Sequence, residues 1–187
     1  MTEALIRRAQ ALREGGHTER LHTVPHHQEA SVAKHSWNMA TLLLVLHPRH
    51  SHQLLLAVLL HDVAERWIGD TPAPAKYSIH PALAPVLHEA ESRVEGVLGI
   101  TPDLMPEEKL WLKALDMLEL VLFAEDELAL GNRHMEQTLK NARSVLNGDW
   151  VPALVREFAR LYTWSRTNDI MSGEKMEELA HEHHTTR

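Results

Sequence analysis

The chain has 187 residues, of which 44% are apolar, and its formal net charge is −7 with no cysteine. That length suits one domain with an enclosed core. The charge balance, with no basic stripe, excludes long nucleic acid polymers as partners, because they are held by clustered Lys and Arg. Without cysteine there is neither a disulfide framework nor a thiol–metal site, and the cytoplasm is the expected compartment.

Taken in chain order, apolar periodicity predicts helices near 2–14, 31–46, 51–65, 81–98, 106–130, 134–146, 150–165 and 172–184. The first begins amphipathically at Met1-Thr2-Glu3-Ala4 and does not read as a signal peptide; no apolar run reaches membrane-spanning length. Ser31 is placed to cap the second helix. Pro81, Pro106 and Pro152 stand near helix starts, where a missing N–H is harmless. Gly131-Asn132 closes the long helix that begins near 106. Few Gly and Pro and no β-branched runs predict an all-α fold, with two non-helical segments, 15–30 and 66–80.

The chemistry concentrates at His61-Asp62, inside the apolar run from Leu54 to Glu65. Burying an imidazole beside a carboxylate costs several kcal/mol unless something binds them. Two further polar residues stand in apolar helices: His35, in the first turns after Ser31, and Asp116, in the run Leu110 to Leu122. Two imidazoles and two carboxylates make a donor set for a borderline divalent ion, Zn, Co, Mn or Ni, with Mg less readily accommodated. Read as one helix, the run also puts Glu65 on the face of His61 and Asp62, where a carboxylate can move a proton. The alternative for Glu65 is an exposed residue paired with Arg66 or Lys76.

The order His35…His61-Asp62…Asp116 resembles the HD-domain phosphohydrolases, a superfamily of single-domain helical bundles around a metal site. The likeness runs through Arg20-Leu21-His22-Thr23, Ser31-Val32-Ala33-Lys34-His35-Ser36, His61-Asp62-Val63-Ala64-Glu65, Gly69-Asp70-Thr71-Pro72-Ala73-Pro74-Ala75-Lys76 and Asp116, covering residues 15–132. Within the superfamily the chain resembles the 5'-deoxynucleotidase branch and its compact phage relatives, including the dATP triphosphohydrolases of the DatZ type. The resemblance implies one domain over 1–187, with its core in 15–146 and helices of 150–184 packing on it or in subunit contacts. It also implies a homo-oligomer and a divalent metal cofactor.

For individual residues the resemblance implies metal ligands at His35, His61, Asp62 and Asp116. Glu65 would handle the attacking water, and Asp70 would contact the sugar hydroxyl or assist that water. Arg20 and Lys76 would meet phosphate, a guanidinium by a bidentate fork and an ammonium as a point charge. Leu21, Thr23 and Pro74 would wall the sugar and base. Leu21 stands where the deoxynucleotidases carry a Trp that excludes ribose, and Lys34 also departs from the pattern. The expected substrate is a deoxynucleoside triphosphate of the dATP type, with deoxynucleoside monophosphates as the alternative. An alarmone hydrolase is disfavoured by Arg66, which stands where that family has Asp, and a catalytically silent metal-stabilised module is disfavoured by Glu65, Arg20 and Lys76. The remaining histidines of the fifteen are read as solvated or hydrogen-bonded, and His181, His183 and His184, in a charged segment, as capable of adventitious metal binding at most.

Overall fold

A computed structural model describes residues 2–165, and they are all-α. The helices are α1 (Glu3–Gly15), α2 (Val32–Leu46), α3 (His52–Leu60), α4 (Glu65–Ile68), α5 (Leu83–Leu98), α6 (Pro106–Ala129), α7 (Glu136–Leu146) and α8 (Ala153–Ser165). A π-turn at Ala75–Ile79 and a 3₁₀ turn at Arg133–Met135 complete the set. The helix expected over 172–184, with its histidines, lies outside the described residues.

α2 starts where a side chain can replace a missing backbone partner: Ser31 Oγ accepts from Lys34 N at 3.3 Å. Its buried residues Val32, His35, Ser36, Met39, Ala40, Leu43 and Leu46 recur at three- and four-residue steps, so one stripe faces the interior. That stripe meets Leu54 and Val58 of α3 and Trp111, Leu115, Leu118 and Val121 of α6 in the main core. α6 carries Pro106 at its first position and runs 24 residues, about 36 Å at 1.5 Å per residue. Val155 of α8 is fully buried in the same core. Among the described residues no helix is long and apolar enough to cross a membrane.

The expected helix over 51–65 is interrupted. α3 stops at Leu60, and the next bonds step back three residues: Val63 N to Leu60 O, Glu65 N to Asp62 O and Trp67 N to Ala64 O. The chain is overwound through His61–Ala64. Two contacts fix this turn from outside. Val63 is buried in a small cluster with Leu98 and Ile100. Gly15, at the end of α1, lies so close that a Cβ there would meet Val63 Cγ1 at 2.9 Å. Of the two segments expected to be irregular, 66–80 contains α4 and the π-turn, while 15–30 is tied to the start of α2 by a bridge between Glu19 and Ser31 and by bonds from Val32 N to Thr18 O and from Ala33 N to Gly16 O.

Candidate metal centre

Three separate parts of the chain deliver the side chains singled out by sequence. α2 presents His35, the overwound turn presents His61 and Asp62, and α6 presents Asp116 one turn before Glu119. His35 Nε2 lies 3.8 Å from Asp62 Oδ2 and 3.3 Å from Asp116 Oδ1, and His61 Nε2 lies 3.2 Å from Asp62 Oδ2. Donor atoms of His35, His61 and Asp62 all fall within 4.8 Å of one another. Asp116 closes the group from the His35 side.

The tautomers decide what this group can hold. His35 Nδ1 donates to Glu119 Oε2 at 2.6 Å, and His61 Nδ1 donates to the Val58 carbonyl at 3.1 Å. When neutral, each ring therefore turns an Nε2 lone pair towards the two aspartates. Both Nε2 atoms are buried without a hydrogen-bond partner. Two orphaned imidazole nitrogens facing two carboxylates suit a divalent cation, because an ion satisfies all four groups at once.

Arg20 enters this cluster from the loop before α2. Its guanidinium pairs with Asp62 and reaches Asp116 Oδ1 at 3.5 Å. Burial works against each of these charges, and their neighbours more than offset it. Burial pulls His61 down, yet the charge of Asp62 carries it up to about 9. His35 is raised in the same way, against burial, by Asp116 and Glu119. Burial pushes Asp62 up, but His61 and Arg20 hold it well below the usual carboxylate range. Asp116 is likewise lowered despite burial, by its contact with His35 and by Arg20.

Glu65 behaves in the opposite sense. Burial, and then the charge of Asp62, push its carboxyl up to about 8. Its Oε2 is buried and unpartnered. The alternative of an exposed, ion-paired Glu65 is excluded by this burial, and Arg66 instead pairs with Glu14 of α1.

The remaining expected residues are spread around the mouth. Asp70 Oδ2 accepts from the backbone N–H of Leu21 at 2.9 Å. Leu21 adopts a left-handed φ of 56°, and its side chain packs on the cluster of Ala30, Phe123, Ala124 and Met135. It therefore serves partly as a core residue. Lys76 is half-buried on the π-turn, while Thr23 and Pro74 are exposed on their loops.

Residues 16–99 match the HD domain family. The HD phosphohydrolase DatZ of cyanophage S-2L, in a structure bound to dA and one catalytic Zn²⁺ ion, is similar in fold: TM-score 0.63 at 21% identity, over 89% of this chain and 96% of that one. The PH0347 protein of Pyrococcus horikoshii OT3 gives 0.58 at 17% identity, over 83% and 99%. No curated protein matches the chain in sequence.

Two buried acids of α6 escape a reading of the sequence. Glu119 is only 7% exposed and holds His35. Glu127 is fully buried and accepts from the backbone N–H groups of His27 and Gln28, each at 2.8 Å. The spacing of Asp116 and Glu119, three apart in an apolar helix, is the signal that would have found the first.

Proposed function

We propose that the protein is a metal-dependent phosphohydrolase that cleaves the 5' phosphate ester of 2'-deoxynucleotides, with dATP-type triphosphates as its foremost substrates. The observation that carries this reading is the pair of buried, unpartnered Nε2 atoms of His35 and His61 facing Asp62 and Asp116. Those four side chains would hold a divalent ion, zinc being favoured by the similarity to a DatZ bound to Zn²⁺. When bound, such an ion supplies Lewis-acid polarisation of the phosphoryl oxygens and lowers the pKa of water in the site.

The protein's own groups account for the remaining chemistry. Glu65 carries a carboxyl with one oxygen free of any partner, raised to about 8 by burial and the charge of Asp62. That makes it the group suited to exchange a proton with an oxygen at phosphorus. Arg20 already spans the two aspartates, so a phosphoryl oxygen seated there lies within reach of its planar fork. Lys76 adds positive charge from the opposite loop. Asp70 acts through Leu21 N, setting the backbone beside Arg20. Thr23 and Pro74 stand on the two loops between which a sugar and base would lie.

The dA bound in the similar phage protein supports a deoxyadenosine substrate. An assembly of copies is supported by an exposed stripe on α2, where Trp37, Leu44 and Val45 are 67%, 52% and 75% exposed. The test is phosphate release from a panel of deoxy- and ribonucleotides, mono- to triphosphate, with Zn, Co, Mn or Mg. Triphosphate release from dATP supports the reading, orthophosphate release from dAMP alone moves it to a 5'-deoxynucleotidase, and metal-loaded protein inert on every nucleotide overturns it.

A further inference from the structure

We infer that Glu119 is a positioning residue for the metal centre: together with Asn38 it fixes which nitrogen of His35 faces the ion. This rests on the reading of His35 as a ligand. His35 is 4% exposed, so water cannot choose the tautomer of its ring. Its Nδ1 has one partner, Glu119 Oε2 at 2.6 Å. The other oxygen of Glu119 accepts from Asn38 Nδ2 at 2.9 Å. Both carboxylate oxygens are thus committed, one to orienting the ring and one to being oriented.

The helical spacing makes the arrangement reciprocal. His35 and Asn38 are three apart on α2, and Asp116 and Glu119 are three apart on α6, so each pair shares a face. The first member of each pair turns to the centre, while across the helices Glu119 holds His35 and Asn38 holds Glu119. An imidazole held by a carboxylate keeps its proton on the far nitrogen and becomes a more basic, better-aimed ligand. Packing alone does not require this, since an apolar side chain would fill the same space at no desolvation cost.

The experiment measures zinc affinity by chelator competition, with no nucleotide present, in wild type, Glu119→Met and Glu119→Gln. Met fills the volume without an acceptor, whereas Gln keeps an oxygen for His35 Nδ1–H. The expected result is a 10- to 100-fold loss of affinity, of order a removed supporting partner, in Glu119→Met, with most of it recovered in Glu119→Gln. Long-range ¹H–¹⁵N spectra of the zinc-loaded protein should show the His35 proton on Nδ1 in wild type and Glu119→Gln, but not uniformly in Glu119→Met. Glu119→Met binding zinc as tightly as wild type overturns the inference, as does Glu119→Gln binding as weakly as Glu119→Met or a wild type that takes up no zinc. Should Glu119→Met not fold, Asn38→Ala carries the test: a smaller loss of affinity supports the inference and unchanged affinity overturns it. A zinc-loaded wild type that hydrolyses no nucleotide would sink the phosphohydrolase reading and leave these results standing.

Discussion

The backbone N–H of Leu21 donates to Asp70 Oδ2 at 2.9 Å, tying the loop before α2 to the loop after the His61–Asp62 turn. Leu21 needs that bond. Its φ of 56° is a left-handed conformation that costs a residue with a Cβ about 1–2 kcal/mol. Because Arg20 is its neighbour, the same bond sets where the guanidinium enters the site. Asp70→Ala is therefore expected to lose about 1.5–3 kcal/mol of stability, the range for a hydrogen bond to a charged acceptor, and to lose turnover with it. Asp70→Asn keeps an acceptor and should lose less of both. Denaturant melts and dATP turnover of the two variants check this; equal losses in both would show that Asp70 acts by its charge and not through Leu21.

The raised carboxyl of Glu65 gives a pH signature in metal-free protein. Its folded value, about 8, lies above the ordinary 4.5, so between those values the folded protein holds a proton that the unfolded chain releases. The stability this contributes is complete below the ordinary range and disappears as pH rises through about 8. Glu65→Gln should therefore be less sensitive than wild type to a rise from pH 5 to pH 9 in chelator, as read by urea melts. In metal-loaded assays the same variant should lose roughly 10²–10⁴-fold in turnover, the usual contribution of a positioned acid or base, while still binding metal. Near-normal turnover in Glu65→Gln would end its assignment as the proton-transfer group.

His61 makes metal uptake a proton-releasing event. In metal-free protein its pKa is about 9, so at neutral pH the ring carries a proton that a bound ion must displace. Apparent metal affinity should rise with pH below that value, by about tenfold per unit for each proton displaced. The sign for stability is the reverse. A raised imidazole contributes stability fully below its ordinary 6.5 and loses it as pH climbs through about 9. Calorimetry in two buffers of different ionisation enthalpy should find at least one proton released per ion at pH 7. A pH-independent affinity would contradict the arrangement.

The candidate donors were legible because polar groups in apolar helices are costly and therefore conspicuous: His35, His61, Asp62 and Asp116 stand out in the sequence, and the structure brings them together. The helix caps at Ser31 and Pro106 were legible for a similar local reason. What failed was anything set by tertiary contact. Leu54 to Val63 contains no breaker, so nothing local announces that α3 ends at Leu60; Val63 packing against Gly15, Leu98 and Ile100 decides it. The left-handed Leu21 depends on Asp70, forty-nine residues away. Trp37 and Trp111 both stand in apolar helical sequence, yet the first is 67% exposed and the second 7%. Glu119 has its partners, His35 and Asn38, on another helix, so its role is set by tertiary contact as well.

Glu127 offers a test of the loop that carries Arg20, independent of the metal. Fully buried near the end of α6, it accepts from His27 N and Gln28 N, each at 2.8 Å, and from Asn132 Nδ2 at 2.7 Å. Asn132 Nδ2 also donates to the Pro25 carbonyl at 2.8 Å. Residues 25–28 are thereby clamped to the C-terminal end of α6. Burial pushes the Glu127 carboxyl up, but the donors from Asn132, His27 and Gln28 outweigh burial and hold it below its ordinary value. The resulting stability is present above the ordinary carboxyl range and is lost as pH falls through the depressed value. Glu127→Ala should cost about 3 kcal/mol, a few hydrogen bonds to a charged acceptor. Its stability should also fall less steeply than that of wild type on acidification. Zinc affinity should change little, because His35, His61, Asp62 and Asp116 come from other segments, while turnover should fall as the loop before α2 loosens around Arg20. Urea melts at several pH values, chelator competition and dATP turnover read these effects separately. A Glu127→Ala protein that loses zinc affinity along with turnover would mean that the clamp supports the donor set itself.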